Sequence, residues 1–216
     1  MIDSKLRIED LGFVEYSSAW EFQKKIVQAV AAGGPATLIL CEHPAVLTLG
    51  RLAKPEYILA SENELKEKGI RIIRIDRGGE VTLHAPGQLV VYPILRLAGH
   101  GQDLRIYLER LEQVAIDLLN DFGIVAGGFP GQRGVWVGSR KIVSIGIGVK
   151  KWVSFHGLAI NVNTDLALFQ VIRPCGLLVE MTSMAQEKCG AIDMDEVKTS
   201  FLHKFQKHFF PSPIHE

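Results

Sequence analysis

The stretch that most constrains this chain is residues 141–149, where Val143, Ile145, Ile147 and Val149 alternate with Ile142, Ser144, Gly146 and Gly148. Alternation with a period of two specifies a strand with two unlike faces. One face is apolar and must be buried. The other carries little side-chain volume and leaves room for something to lie along the sheet. Gly138-Ser139 supplies a turn that joins this strand to residues 134–138, and residues 152–162 continue the sheet.

Other segments add layers to it. Residues 37–41, 46–49, 70–75, 80–83 and 89–97 are apolar or alternating runs separated by His43-Pro44, Gly78-Gly79, Pro86-Gly87 and Gly99-His100-Gly101, and they read as strands. Helical spacing marks residues 18–32, ended by Gly33-Gly34-Pro35, and residues 103–122, where Leu104, Tyr107, Leu108, Leu111, Val114, Ala115, Leu118 and Leu119 share a face. A short helix over 61–68 opens with Ser61 and Glu64 in capping-box spacing. A last helix over 194–209 repeats Val197, Phe201, Phe205 and Phe209 every four residues. Strand pairs with helices segregated between them give an α+β class, a mixed, largely antiparallel sheet flanked by helices. No Gly-x-Gly-x-x-Gly or Walker-type loop is present.

Composition narrows the function classes. Twenty-four basic residues balance twenty-four acidic ones, so no global field favours nucleic acid. The first ten residues are charged where a signal peptide would be apolar, and no apolar run reaches the ~18 residues of a membrane span. Cys41, Cys175 and Cys189 show no metal-ligand spacing and no Cys-x-x-Cys pair. These features predict a cytoplasmic protein with reduced thiols, no bound metal, no membrane and no nucleic-acid partner.

Three places offer chemistry. Residues 77–88 bring Arg77, Gly78, Gly79, Glu80, Val81, Thr82, Leu83 and His84 into one glycine-loosened stretch; a tight hairpin with incidental polar residues has the same pattern. Lys141 enters the Ser/Gly-faced strand, either as a solvated edge residue or as an ammonium over the open face. Cys175 lies between Pro174 and Gly176, a setting that suits an accessible thiol, whereas Cys41 falls in a core strand. Arg71, Arg74 and Arg77, with Lys150 and Lys151, form either a solvated basic face or a docking patch for acidic domains.

Leu40-Cys41-Glu42-His43-Pro44-Ala45-Val46-Leu47-Thr48-Leu49-Gly50-Arg51, residues 77–88 with Tyr92-Pro93, Gly134-Val135-Trp136-Val137, Lys141-Ile142, His156-Gly157-Leu158-Ala159-Ile160-Asn161 and Pro174-Cys175-Gly176 together resemble the lipoyl(octanoyl)transferase family. The resemblance runs in order from about Tyr16 to Phe209. One departure is His84-Ala85-Pro86-Gly87, where the family pattern has His-Gly-Pro-Gly; alanine fits there if its φ is negative.

The resemblance implies a biotin/lipoate protein ligase-like catalytic domain, here a single acyltransferase domain over residues 1–216. It implies transfer of octanoyl (or lipoyl) from acyl carrier protein to the lysine of lipoyl domains through an acyl-cysteine thioester, the first step of endogenous protein lipoylation. The acceptors implied are E2 subunits of 2-oxoacid dehydrogenases and the glycine cleavage H protein. Cys175 is implied as nucleophile and Lys141 as its catalytic partner, with no cofactor. The acyl-binding segments fall on residues 77–84, on Ser144, Ile145 and Gly146, and on Gly157, Leu158 and Ala159. An ATP-dependent lipoate or octanoate ligase, a cysteine hydrolase and a catalytically silent acyl-binding adapter stand as alternatives.

Overall fold

The computed structural model describes residues 6–100, 103–173 and 179–211. Cys175 therefore lies outside the described residues. The strands are β1 (Leu6–Phe13), β2 (Ala36–Glu42), β3 (Val46–Leu49), β4 (Arg71–Arg74), β5 (Val81–His84), β6 (Gln88–Ile94), β7 (Gly127–Phe129), β8 (Gln132–Val137), β9 (Arg140–Lys150) and β10 (Val153–Asn161). Among the described residues they form a seven-stranded sheet in the order β1-β2-β6-β10-β9-β8-β7 and a three-stranded sheet β4-β3-β5. Pairing is mostly antiparallel; β1 with β2 and β3 with β4 run parallel. The mixed α+β class expected from the pattern is the one observed.

Each face of the large sheet has its own core. Helices α3 (Leu104–Asp121) and α5 (Met194–Phe209) cover one face. Both open on an aspartate whose carboxylate accepts two backbone N–H bonds, Asp103 from Arg105 and Ile106, Asp193 from Asp195 and Glu196. Their apolar stripes, including the stacked rings of Phe201, Phe205 and Phe209, pack on Leu38, Leu89, Val91, Leu158 and Ile160. The other face carries α1 (Tyr16–Ala31), which buries Tyr16, Ala19 and Val30 against Ile39, Val90, Tyr92 and Ala159. The short helix α2 (Glu62–Glu67) begins with both halves of the Ser61/Glu64 capping box formed. It belongs to a third cluster under the small sheet, with Leu47, Leu83 and Phe169.

Several local expectations need correction. The N-terminal segment, which has no alternation strong enough to name, is a strand because it extends β2 in parallel. The strand expected over 70–75 shortens to β4, with Ile70 and Ile75 buried at its two ends and Ile72 exposed. A five-residue helix, α4 (Met184–Lys188), interrupts what reads as loop.

The most consequential correction is in β9. Trp136 pairs with Lys141 and Val135 with Val143, so Ile142 is one extra residue, a β-bulge. Ile142 joins Val143 in the α3/α5 core instead of sharing a face with Ser144 and Gly146. Strict alternation would put Lys141 on that core side too. The bulge turns it to the Ser144 side, facing the small sheet.

Candidate active site

Between the two sheets lies a narrow cavity of about 80 Å³, lined from both. That is room for about half a dozen water-sized spheres. Of the residues expected to bind substrate, Arg77, Gly79, Glu80, Val81, Thr82, His84, Ser144, Ile145, Gly146, Gly157, Leu158 and Ala159 line it, together with Lys141. Two do not. Leu83 is wholly buried in the core under the small sheet. Gly78 forms the wall behind the lining: its N–H bonds the Ile147 carbonyl at 2.8 Å.

The Ser/Gly face of β9 is less bare than its sequence suggests. A side chain on Gly148 would overlap the Phe155 ring, and a Cβ on Gly146 would sit 3.1 Å from Arg77 Cδ. The open part of the face is thus confined to the cavity. Arg77 is 6% exposed, and its guanidinium donates to the carbonyls of Gly78 and Thr48 and to Thr48 Oγ1 at 2.8–3.0 Å. It braces the loop against β3 and takes no part in a docking surface, contrary to its grouping with Arg71 and Arg74.

Lys141 is 5% exposed, with Nζ 4.9 Å from the centroid of the Trp136 ring. Its backbone N–H bonds the Glu180 carbonyl at 2.8 Å, and its carbonyl accepts from Thr182 N–H at 2.9 Å. The chain that follows Cys175 is therefore paired to Lys141 on both sides. A polar relay reaches the same place: Gln88 Oε1 accepts from His84 Nδ1 at 3.2 Å, Gln88 Nε2 donates to Asn161 Oδ1 at 3.0 Å, and Asn161 Nδ2 donates to the Thr182 carbonyl at 2.9 Å. With Nδ1 the donor, Nε2 is the unprotonated nitrogen of His84.

The turn carrying this relay depends on Gly87. Its φ is +82°, and a Cβ there would come within 2.6 Å of the Asn163 backbone. Its N–H bonds Glu42 Oε2, and its carbonyl accepts from Val162 and Asn163. Ala85, the departure from the family pattern, does not have a positive φ and is fully buried, so alanine fits.

Four lining residues were not foreseen as binding: Tyr16, Val90, Tyr92 and His156. Three aromatic rings among them join His43 and His84 in one buried cluster, with Tyr16 stacked on His84 at 5.6 Å. Tyr92 donates to His43 Nε2 at 2.8 Å while His43 Nδ1–H bonds the Val14 carbonyl. The sequence signal for them was faint: two tyrosines and a histidine on apolar strands and helices look like core. Burial holds the imidazoles of His43, His84 and His156 below the usual histidine value, His156 at about 4 despite the opposing pull of Asp76. All three are neutral at pH 7.

The described thiols lie elsewhere. Cys41 is fully buried, 3.4 Å from His43 Nε2, and burial pushes its thiol far up, so it is unreactive. Cys189 is exposed at the end of α4 and lines no part of the cavity. Among the described residues no group of histidine, cysteine or carboxylate side chains could hold a metal ion, and no helix is long and apolar enough to cross a membrane.

Residues 15–206 match the family described as the lipoyl protein ligase A/B catalytic domain. An octanoyltransferase of Solibacter usitatus is 46% identical over 203 residues, covering 94% of this chain and 92% of that protein. An octanoyltransferase of Chloroflexus aggregans is 44% identical and covers 97% of both. In backbone alone, a lipoate-protein ligase A bound with ATP superposes with a TM-score of 0.78 at 17% identity, covering 94% of this chain and 84% of that one. The biotin protein ligase of Aquifex aeolicus, bound with biotin and ATP, gives 0.58 at 15%, covering 94% and 69%.

Proposed function

The chain belongs to the lipoyl protein ligase A/B catalytic-domain family, and from that premise we infer how its residues carry out acyl transfer. As in its octanoyltransferase relatives, the activity is octanoyl transfer in protein lipoylation, with acyl-carrier and lipoyl-domain proteins as the substrate classes. The finer assignments are our proposal. Octanoyl-acyl carrier protein is the donor, and the acceptors are lipoyl domains of E2 subunits and of the glycine cleavage H protein.

In this reading Cys175 is the nucleophile. Its thiolate attacks the donor's thioester carbonyl, the carrier thiolate leaves, and an octanoyl-Cys175 thioester remains. One thioester replaces another, so the step is roughly isoenergetic. The acceptor lysine, as a neutral amine, then attacks that carbonyl. Its proton passes to Lys141, Cys175 leaves as thiolate, and an amide forms downhill. While Lys141 is an ammonium it favours the Cys175 thiolate; the same group, once neutral, serves as the base.

One observation carries the reading: the bulge at Ile142 aims Lys141 into a narrow cavity while its backbone is clamped to the segment just after Cys175. The lining suits a medium-length alkyl chain, with Val81, Val90 and Ala159 apolar and Gly157 and Gly146 small. The test is intact mass after mixing with octanoyl-carrier and no nucleotide. Wild type, Cys41→Ala and Cys189→Ala should each gain one octanoyl group that hydroxylamine removes, and Cys175→Ala should gain none. Transfer by Cys175→Ala at the wild-type rate, or transfer only when ATP is added, would overturn the covalent route in favour of a ligase.

A further inference from the structure

A second hollow, of about 550 Å³, opens between α1 and the β9–β10 hairpin, and none of the groups placed in the reaction lines it. One wall is a stripe of α1, where Trp20, Gln23, Lys24, Val27 and Ala31 recur at helical spacing. The hairpin contributes Lys150, Lys151 and Phe155. The Phe155 ring crosses over its β9 partner Gly148, where a Cβ would overlap it.

Gln23 is 1% exposed, and only half of its amide is used. Oε1 accepts from the His156 N–H at 2.9 Å, whereas Nε2 is buried with no hydrogen-bond partner among the described residues. A buried amide nitrogen in that state costs stability until something supplies an acceptor. The backbone beside it is strained as well. Lys151 and Trp152 make the two-residue turn of the hairpin with φ of +51° and +58°, a conformation natural to Asn-Gly and costly for these two. His156, at +55°, is a third such residue; among the described residues only Cys189 is another. Strain of this kind collects at ligand sites.

Charge indicates what the ligand carries. Lys24 already pairs with Glu21 at 2.6 Å and stands over the Trp20 ring. Lys150 and Lys151 are exposed and make no ion pair among the described residues. Asp76 is the one carboxylate in the lining, and its Oδ1 accepts from His156 Nε2 at 3.0 Å. Two ammoniums against one aspartate suit a single negative charge better than two.

We propose that this hollow is a second ligand site, which takes an amphipathic carboxylate. Gln23 Nε2 and the Lys150 and Lys151 ammoniums hold the carboxylate, and its hydrocarbon lies on Trp20, Val27, Ala31 and Phe155. The site goes beyond the acyl-transfer reading and does not rest on it. Gln23 also holds the backbone of His156, whose ring lines the acyl cavity, so one hydrogen bond joins the occupant's partner to that wall.

Titration calorimetry of the whole enzyme with dodecanoate, dodecanol and dodecyl phosphate tests the site. Dodecanoate should bind saturably below the concentration at which it forms micelles. Gln23→Glu keeps the acceptor for the His156 N–H but replaces the buried donor with a negative oxygen, and it should weaken that binding by roughly tenfold or more. Lys150→Gln with Lys151→Asn removes both ammoniums and suits the left-handed turn. That pair should weaken binding by roughly threefold to tenfold, and it decides the matter if the glutamate variant does not fold. Dodecanol, without charge, and dodecyl phosphate, doubly charged near pH 8, should both bind more weakly than dodecanoate. Unchanged affinity in either folded variant would put the ligand elsewhere, the acyl cavity included, and end the proposal. Equal affinity for dodecanol would leave the hollow mere apolar surface, tighter binding of dodecyl phosphate would refute the carboxylate, and no saturable binding would refute the site.

Discussion

At the scale of the residue, the site depends on side chains whose surroundings make them unlike their kind. Lys141 is a buried lysine packed on Trp136, with Gly134 opposite: a Cβ on that glycine would come within 2.9 Å of the lysine Cε. Lys141→Met keeps the stem and most of the packing while removing the ammonium. Transfer should fall by roughly two to four orders of magnitude, with octanoylation of Cys175 slowed and the far-UV circular dichroism spectrum unchanged. Measured single-turnover rates within a factor of two of wild type would leave Lys141 a packing residue only. Neither this burial nor the neutral state of the three histidines was legible in the sequence. Both follow from which elements cover them, and a lysine before an alternating strand looks the same whether water or tryptophan lies above it.

At the scale of the element, the β5–β6 turn is where backbone and chemistry meet. His84 ends β5, Gln88 begins β6, and Gly87 between them holds a conformation and a clearance that no side chain permits. Gly87→Ala should therefore lower stability by about 1–3 kcal/mol or more, read as a lower urea midpoint, and reduce octanoyl transfer because His84 and Gln88 shift with the turn. An unchanged midpoint would mean that the turn relaxes freely. The sequence made this turn easy to find, since Pro-Gly between apolar runs has a mechanical meaning. It also revealed the β8–β9 hairpin through Gly138-Ser139 and the start of α2 through Ser61, whereas the aspartate caps of α3 and α5 show only in the structure. Elements that owe their existence to a distant partner stayed hidden: β1, which forms by pairing beside β2, and the extra residue in β9, which shows only in register.

At the scale of the whole molecule, neutral histidines buried in one cluster make the fold sensitive to mild acid. A histidine whose folded pKa is depressed binds its proton more readily when unfolded, so stability is complete above the ordinary value near 6.5 and is lost as pH falls towards about 4. For His156 that loss approaches ~3 kcal/mol, with His43 and His84 adding in the same direction. Asp117 and Asp121, held below the usual carboxylate value by His208 and Lys204 among other groups, give up their contribution only at lower pH. Urea midpoints should thus be level between pH 8 and 7 and decline between pH 6.5 and 5, less steeply in His43→Gln; a flat profile would show that the cluster takes up protons without unfolding. The molecule also has two sides, one a closed core under α3 and α5, the other hollow. Which of them receives the amine of Lys141 is settled by counting: two residues stand between Lys141 and Ser144 where alternation would have one. Almost any apolar residue at 142 preserves the outcome, whereas losing or gaining one position there exchanges inside for outside. The chemistry of this chain is thereby more exposed to a change in its length at that point than to a change in its letters.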